Sequence, residues 1–315
     1  MPHSIKVFDA KDFPSYLPKL NSLYDDLFEG GKGFRAKLVA RIASTIGLNN
    51  STERLLAQTI EFIHNASLLH DDLIDRSVLR RGKPAAWTKY TPEYAVLAGD
   101  YLLARVMVNL SHFGNVQLIQ FTAQMISDLL EGEWIQDSLV GDFSLAVTDL
   151  DRVHDLKTGS LFKWCLKAPF IARGDDPRSQ HLSYLTEAGA LLGQLFQRGD
   201  DLLDFDIRND ENKAVLGDLR SGYLNSFAAF ALADLNAERR SRAIESKSLG
   251  EFKMALGESD FNQAVARFDA VNTGIIDRYT HLIRSAEQLQ VPGIDTELAD
   301  FLQQLPTLLY WRKQK

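Results

Sequence analysis

The sequence predicts an all-α protein, folded as a single-domain bundle of about ten or more helices over residues 1–315 around a deep central cavity. Apolar residues recur at spacings of three and four over most of the chain, and the alternating pattern of β-strands is scarce. The 20 glycines and 9 prolines together make up 29 of the 315 residues. That share is below the roughly 12% that these two residue types reach in an average protein. No linker-like or low-complexity segment divides the chain, which indicates one domain.

Two long apolar runs, residues 55–66 and 182–195, carry the helical pattern most clearly. Residue types that begin or end helices flank such runs, namely Asn50 and Ser51, Gly30 and Gly31, and Gly82 with Pro84. Because several helices are apolar on more than one face, the bundle should have a buried centre, where ligand cavities commonly form. A helical scaffold without an active site is the alternative, and only polar groups on the inner faces distinguish the two.

The charge balance and the single cysteine limit the partners and the compartment. The 42 acidic and 35 basic side chains give a net charge of −7, which argues against nucleic acid as a partner. Cys165 cannot form an intramolecular disulfide, so a reducing compartment is expected. The N-terminus lacks the layout of a signal peptide, and no apolar stretch reaches the ~18 residues of an integral membrane segment. The sequence therefore predicts a cytoplasmic protein.

Two clusters of aspartates share one pattern of two aspartates, two aliphatic residues and a third aspartate. The first aspartate cluster consists of Asp71, Asp72 and Asp75, and the second of Asp200, Asp201 and Asp204. On a helix, the first and third aspartates of each cluster lie on one face, with the middle one beside them. We interpret the other paired aspartates in the chain as surface charge, whereas these two clusters lie inside strongly apolar helical runs.

Such clusters need a positive partner. Two unit charges about 5 Å apart repel by roughly 3 kcal/mol at an effective dielectric of 20. Carboxylate oxygens without His or Cys suit a hard cation, and a helix face that cannot wrap an ion suits Mg²⁺, which completes its shell with water and phosphate oxygens. The repeated pattern therefore predicts Mg²⁺ ions on either side of one diphosphate.

Basic residues close to the first aspartate cluster could clamp such a diphosphate. Arg80, with Arg81 after it, lies five residues beyond Asp75, and arginine forks match phosphate oxygens. The alternative is that the two arginines mark a helix C-terminus. Lys32 and Arg35 are spaced to point the same way from a helix start. His64 lies nearly two helical turns before Asp71, on roughly the same helix face as the cluster. The alternative is that His64 is a histidine packed in the core.

His70 is adjacent to Asp71, and this His-Asp pair suggests a second class of enzyme. His-Asp metal phosphohydrolases are also all-helical. That class needs further histidines on neighbouring helices as ligands. His112, His154, His181 and His281 lack supporting carboxylate clusters, and the second aspartate cluster would have no role.

With these motifs in this order, the chain resembles the trans-type isoprenyl diphosphate synthases of the polyprenyl synthetase family, from about residue 30 to residue 223. Residues 69–75 and 80–84, read as LHDDLID and RRGKP, match the family's first aspartate-rich motif, and residues 196–204, FQRGDDLLD, match the second. Residues 157–162, KTGSLF, resemble its Lys-Thr motif. The resemblance implies the isoprenoid synthase-like fold and a homodimer.

The resemblance also implies roles for individual residues. The direct Mg²⁺ ligands would be Asp71, Asp75 and Asp200, with Asp72, Asp201 and Asp204 binding metal directly or through water. The allylic diphosphate would be bound by Arg80 and Lys157, and the second substrate, isopentenyl diphosphate, by Lys32, Arg35, His64 and Arg81. Thr158 and Gln197 would face the reacting carbons, and Lys213 approximates a basic residue of the segment after the second cluster.

The implied chemistry agrees with the residue types. Metal ions and arginines stabilise a departing diphosphate, and the allylic cation needs a dry apolar cavity until the double bond of isopentenyl diphosphate attacks it. Loss of a proton, in the family to the departing diphosphate, completes one five-carbon extension. The chain departs from the family pattern at Gly33 and Ala36, where a basic residue and a proline are usual, and at Tyr223, where Gly222-Tyr223 stands in place of a second lysine.

The product length follows from two positions before the first aspartate cluster. In this family, bulky aromatics four and five residues before the cluster stop chain growth early, and here those residues are the small Ser67 and Ala66. The sequence therefore predicts a linear trans-polyprenyl diphosphate longer than fifteen carbons, geranylgeranyl or longer. Two alternatives stay open: a relative that cyclises or otherwise reworks a prenyl diphosphate, and a non-catalytic subunit that binds one.

Overall fold

The computed structural model describes residues 13–22, 33–80, 82–205, 215–288, 291 and 293–311. Fourteen α-helices have both ends within these residues. The β structure within the same residues is one pair of strands, each two residues long, so the all-α prediction is confirmed. The helices are α1 (Phe34–Thr45), α2 (Asn50–Ile74), α3 (Ala86–Lys89), α4 (Pro92–Phe113), α5 (Val116–Ser138), α6 (Val147–His154), α7 (Ser160–Arg173), α8 (Gln180–Leu203), α9 (Gly217–Arg220), α10 (Ser226–Leu232), α11 (Ala237–Ile244), α12 (Leu249–Leu256), α13 (Glu258–Gln288) and α14 (Thr296–Tyr310). A π-helical turn, Asp155–Gly159, joins α6 to α7.

The described residues group into two compact units. The first comprises those within Met1–Ser127 and Leu161–Thr186, and the second those within Asp128–Ser160 and Glu187–Lys315. The boundaries fall inside α5, α7 and α8. The single-domain organisation stays a prediction.

The first unit is built around α2, which packs against α1 and α4. The apolar face expected over residues 55–66 is buried, with Leu56, Ile60 and Ile63 fully inside. Asn50 and Ser51, which were expected to precede the helix, are its first two residues. Asn49 is its N-cap, and its side chain accepts a hydrogen bond from the Thr52 backbone N–H at 2.9 Å, which satisfies one of the donors that a helix start leaves open.

A short antiparallel hairpin follows α2 in the first unit, where the sequence suggested a helix end. Strand β1 (Leu79–Arg80) pairs with β2 (Lys83–Pro84), and Gly82 lies in the turn with φ +75°. That positive φ is costly for a residue with a Cβ, so glycine suits the turn. The expectation that Gly82 and Pro84 terminate a helix is therefore wrong, as is the helix-end interpretation of Arg80.

The second unit has an aromatic core between α8, α10, α12 and α13. The Phe205 ring lies 4.9 Å, between ring centroids, from both Phe227 and Phe252, and Phe227 lies 5.4 Å from Phe268. Edge-on and tilted pairs at these distances add to the hydrophobic gain from burial. Helix α13 also packs along α14, the last described helix.

No helix within the described part of the chain is long and apolar enough to cross a membrane. Cys165 is buried in the first unit, and burial raises the pKa of its thiol above the ordinary value. A thiol with a raised pKa is a poor nucleophile.

Candidate active site

The first aspartate cluster occupies the C-terminal end of α2. Asp71 and Asp72 lie in the last turn, and Asp75 is the C-cap, whose backbone N–H bonds to the Asp71 carbonyl at 2.8 Å. Arg76 follows with φ +54°, and the Ser77 N–H closes back on the Asp72 carbonyl at 2.9 Å. This Schellman closure satisfies the last carbonyls of the helix and fixes the direction in which the chain leaves it.

The three carboxylates of this cluster differ in exposure. Asp72 is buried at 4% exposure, Asp71 is half-buried and Asp75 is exposed. From β1, Arg80 donates its Nε–H to both carboxylate oxygens of Asp72, at 2.9 and 3.0 Å, and an Nη–H to one of them. Burial alone would lower the pKa of Arg80, but hydrogen bonding and Coulombic attraction to Asp72, with added attraction from Asp71 and Asp75, raise it. The hairpin thus places one guanidinium within electrostatic reach of the whole cluster.

Arg35 and His64, both predicted to bind the second substrate, lie together in the first unit. The Arg35 Nη1 atom is 3.2 Å from His64 Nε2, and the guanidinium stacks over the Phe162 ring at 5.6 Å from its centroid. Glu61 accepts a hydrogen bond from the Ala36 backbone N–H near the start of α1. The residue that replaces the usual proline therefore donates to a side chain of α2, a bond that proline could not make.

His70 has a packing role next to the first aspartate cluster. A Cβ at Gly99 of α4 would lie only 2.3 Å from His70 Nε2, so glycine is what lets the imidazole approach the helix. The same nitrogen is 3.5 Å from an oxygen of Asp100. These contacts give His70 a role in joining α2 to α4.

The second aspartate cluster lies at the corresponding end of α8. Asp200 and Asp201 are in its last turn and Asp204 follows the last helical residue. Asp201 and Asp204 are buried at 2% and 4% exposure, whereas Asp200 is half-buried. Each cluster therefore has a half-buried first aspartate and a buried middle one.

Asp204 accepts hydrogen bonds from the backbone at the start of α9. Its carboxylate accepts hydrogen bonds from the Gly217 N–H at 2.8 Å and the Asp218 N–H at 3.4 Å, and its carbonyl accepts the Leu216 N–H at 2.9 Å. Leu216 has φ +57°, so consecutive backbone N–H groups converge on the carboxylate as in an anion-binding nest.

Asp201 is enclosed by donors of the second unit. Its Oδ2 accepts the Ser226 N–H at 2.9 Å and the Ser226 hydroxyl at 2.5 Å, and its Oδ1 accepts from Gln197 Nε2 at 2.9 Å. Burial raises the pKa of Asp201, while the bonds from Ser226 and Gln197 lower it and Asp200 raises it. Burial also lowers the pKa of the neighbouring His154 to about 4, so that imidazole is neutral at pH 7.

The Lys-Thr motif lies on the π-helical turn Asp155–Gly159, a geometry often found at functional sites. The turn touches α8 where two glycines meet: a Cβ on Gly193 would lie 2.4 Å from Gly159 Cα and 2.5 Å from its nitrogen. This approach lets the Thr158 hydroxyl donate to Gln197 Oε1 at 3.2 Å. The structure therefore brings together the two residues predicted to face the reacting carbons.

Lys157 forms an ion pair with Glu133 of α5 in the second unit, and both side chains are largely buried. Gly132 makes the pairing feasible, since a Cβ there would lie 2.7 Å from Lys157 Cγ. Tyr223 also lies within electrostatic reach of Glu133: burial first, and then Asp201, Asp218 and Glu133, raise the pKa of Tyr223 above its ordinary value. The position usually held by a lysine is therefore neutral at pH 7.

A buried polar network supports α8 just before the second aspartate cluster. Arg198 donates to Asp151 at 2.9 Å and to Asn272 of α13 at 3.2 Å, and Asn272 donates to the Tyr310 hydroxyl of α14 at 3.1 Å. The backbone of Tyr310 also lies against Gly199, where an added Cβ would approach the Tyr310 carbonyl oxygen to 3.2 Å. The last two helices thus contact the residues directly before Asp200.

Three predicted site residues, Lys32, Arg81 and Lys213, lie outside the described residues. Ala66 is fully buried in α2, and Ser67 is half-buried and donates to the His64 carbonyl at 3.0 Å. Ser67 precedes Asp71 by one turn on the same helix face.

Sequence reasoning missed Glu133, Gly193 and Ser226. Gly193 carried a signal, because an isolated glycine inside a helical run often marks close packing. Glu133 and Ser226 carried none, since their partners are distant in the chain and only the fold brings them together.

The donor chemistry at both clusters fits a divalent hard cation. All six side chains offer oxygen ligands, and Asp71, Asp75 and Asp200 are the exposed or half-buried members. Among the described residues, no three Asp, Glu, His or Cys side chains converge closely enough to hold a metal ion by themselves. Carboxylate oxygens are the ligands that hard divalent cations prefer.

Comparisons with known proteins agree with the fold and the motifs. Solanesyl-diphosphate synthase 2, chloroplastic, of Oryza sativa subsp. japonica is 35% identical over 226 residues, 69% of this chain and 55% of that protein. The match thus spans little more than half of that relative's length. The crystal structure of a decaprenyl diphosphate synthase from Rhodobacter capsulatus has a TM-score of 0.83 at 27% identity and covers 97% of this chain and 94% of that one.

A second solved structure and a family model complete the comparison. The polyprenyl synthase from Caulobacter crescentus, complexed with calcium and isoprenyl diphosphate, has a TM-score of 0.82 at 26% identity, covering 96% of this chain and 92% of that one. A family model described as polyprenyl synthetase matches residues 17–257. The matched segment includes both aspartate clusters, the Lys-Thr motif and the hairpin, and the chain belongs to the polyprenyl synthetase family.

Proposed function

We propose that this protein is a Mg²⁺-dependent prenyltransferase. It condenses isopentenyl diphosphate with an allylic prenyl diphosphate and releases a linear trans-polyprenyl diphosphate longer than fifteen carbons. The observation that carries the proposal is that both aspartate clusters are complete and lie at the ends of their helices, each with a half-buried first carboxylate and a buried middle one. A subunit without catalysis would have little use for the three accessible carboxylates, Asp71, Asp75 and Asp200.

The residues of this chain have distinct tasks in the proposed reaction. Asp71, Asp75 and Asp200 would hold Mg²⁺, which when bound stabilises the negative charge of the departing diphosphate. Arg80 and Lys157 bind the allylic diphosphate through their cationic groups. Because the Thr158 hydroxyl donates a hydrogen bond to Gln197, its oxygen lone pairs stay available for the positive charge that develops on the allylic carbons.

The second substrate is proposed to bind at Arg35 and His64, with Lys32 and Arg81. The Arg35–His64 pair supports this assignment, since stacking on Phe162 fixes a guanidinium whose fork suits diphosphate oxygens. The Caulobacter relative that was solved with calcium and isoprenyl diphosphate supports both the divalent metal and the ligand class. We also propose a homodimer in the cytoplasm, in line with the resemblance.

One assay tests the proposed function. Purified protein is incubated with Mg²⁺, isopentenyl diphosphate and allylic primers of graded length, and the products are extracted and sized. Linear products that lengthen with isopentenyl diphosphate are expected. Cyclic products formed without isopentenyl diphosphate would favour the cyclising relative, for which the neutral Tyr223 is the specific observation. Absence of diphosphate release under all conditions would favour the non-catalytic subunit.

The product length should respond to bulk at Ser67. Ser67→Phe is expected to shorten the main product, because an aromatic ring one turn before Asp71 would block the path of the growing chain. Ala66→Phe should act in the same direction but at a cost of about 1–3 kcal/mol in stability, since Ala66 is fully buried. The product distribution is measured by chromatography. Ser67→Ala is the matched control, and equal product lengths for Ser67→Phe and Ser67→Ala would contradict the cavity assignment.

A further inference from the structure

A continuous chain of hydrogen bonds runs from α10 to the Lys-Thr motif within the second unit. Ser226, the first residue of α10, donates both its backbone N–H and its hydroxyl to Asp201. Gln197 donates to the other oxygen of Asp201 and accepts from the Thr158 hydroxyl. The chain therefore links four residues from three separate segments.

The direction of every bond in this chain follows from Asp201. A carboxylate only accepts, so the Gln197 side chain must turn its NH₂ group toward Asp201 and not its carbonyl oxygen. The amide oxygen of Gln197 then faces Thr158, and the hydroxyl must donate to it. Asp201 thus determines where the Thr158 proton points, although the two residues are not in contact.

Asp201 is also satisfied without any ion. Its two oxygens receive three donors from the protein, its side chain is 2% exposed, and its backbone carbonyl accepts from Asn225, the N-cap of α10, at 3.3 Å. The carboxylate therefore holds the N-terminus of α10 against the end of α8. Asp200, its neighbour in sequence, is half-buried, as is Asp71 in the first cluster.

We propose that Asp201 is the anchor of this hydrogen-bond chain and not a metal ligand, and that Asp201 and Ser226 are positioning residues that orient Thr158. The resemblance would place Asp201 among the residues that bind metal directly or through water, so the proposal reassigns one carboxylate of the second cluster. Its catalytic consequence rests on the proposed function, but its structural part does not.

Thermal unfolding in EDTA tests the structural part, with Asp200→Asn as the matched control. Asp201→Asn should lower the unfolding midpoint by about 3–8 °C, because an asparagine turns its NH₂ group toward one of the buried N–H donors and leaves that donor unsatisfied. Asp200→Asn should lower the midpoint less than Asp201→Asn does, since Asp200 is half-buried and Asp201 is 2% exposed. A midpoint for Asp201→Asn at or above that of the wild type would overturn the proposal.

A double-mutant cycle tests the positioning of Thr158. Ser226→Ala should lower kcat roughly tenfold at a temperature well below its unfolding midpoint. In a Thr158→Val background, the same Ser226→Ala change should alter kcat by less than about twofold, because the group it orients is already gone. Ser183→Ala, at an exposed serine of α8 whose hydroxyl donates to the Gln180 carbonyl, is the control and should have no effect in either background.

The two tests separate the two proposals. Equal kcat losses from Ser226→Ala with and without Thr158 would mean that Ser226 does not act through Thr158, and would overturn the positioning role. If the wild-type protein releases no diphosphate, the proposed function fails. The comparison of Asp201→Asn with Asp200→Asn in EDTA still decides whether Asp201 is a structural anchor.

Discussion

Replacing Asp71 or Asp200 by alanine is expected to lower kcat by at least about 10²-fold while the fold stays intact. Both residues begin their aspartate clusters, and both are half-buried at the end of a helix. The loss follows because the negative charge that develops on the departing diphosphate would no longer be stabilised. Diphosphate release in the presence of Mg²⁺ and both substrates measures the effect.

Stability provides the control for this prediction. In the metal-free protein, Asp71→Ala and Asp200→Ala should change the unfolding midpoint only slightly, since both side chains are half-buried and not in the core. Asp277→Ala, at an exposed aspartate of α13, should change neither activity nor stability appreciably. Near-normal turnover in Asp71→Ala and Asp200→Ala would remove the metal-ligand assignment from the first and second clusters, respectively.

Gly193→Ala is expected to have the second large effect. The new Cβ would lie 2.4 Å from the backbone of Gly159, where no flexible side chain can move aside. The π-helical turn must then shift away from α8, which separates Thr158 from Gln197. We expect a stability loss of about 1–3 kcal/mol, and a displacement of about 1 Å could lower kcat by 10²-fold.

Gly274→Ala is the matched control for the glycine contact. Gly274 lies within α13, and an added Cβ there meets no atom within 4 Å. The same substitution should therefore raise stability by up to about 1 kcal/mol through helix propensity and leave kcat unchanged. Thermal unfolding and kcat, measured in parallel on both variants, check the prediction. Equal behaviour of the two variants would show that the contact between Gly193 and Gly159 does not matter.

The fold class and the location of both aspartate clusters could be predicted because they are local properties of the sequence. The apolar spacing in α2 and α8 identifies the buried faces, and the repeated aspartate pattern lies at the end of each helix. Arg35 with His64, and Thr158 with Gln197, were expected to act together on the strength of the resemblance, and the structure places each pair in contact.

The remaining features depend on contacts between distant parts of the chain. Arg80 was expected beyond a helix or at its end, but it lies on a strand that returns its guanidinium to Asp72. The difference between Asp200 and Asp201 could not be read from the sequence either. It arises because Ser226, far along the chain, begins a helix against one carboxylate and not the other.

The contact of Tyr310 with Gly199 means that the boundary of the family model is not a folding boundary. The family model ends at residue 257, yet Arg198, which is 5% exposed, donates to Asn272, which in turn donates to Tyr310. A protein shortened to the matched segment would leave a guanidinium without those partners and would open the aromatic core beside it. We therefore expect mutations in the last two helices to affect catalysis although those helices lie outside the matched segment. Libraries for the directed evolution of product range should include positions in these two helices.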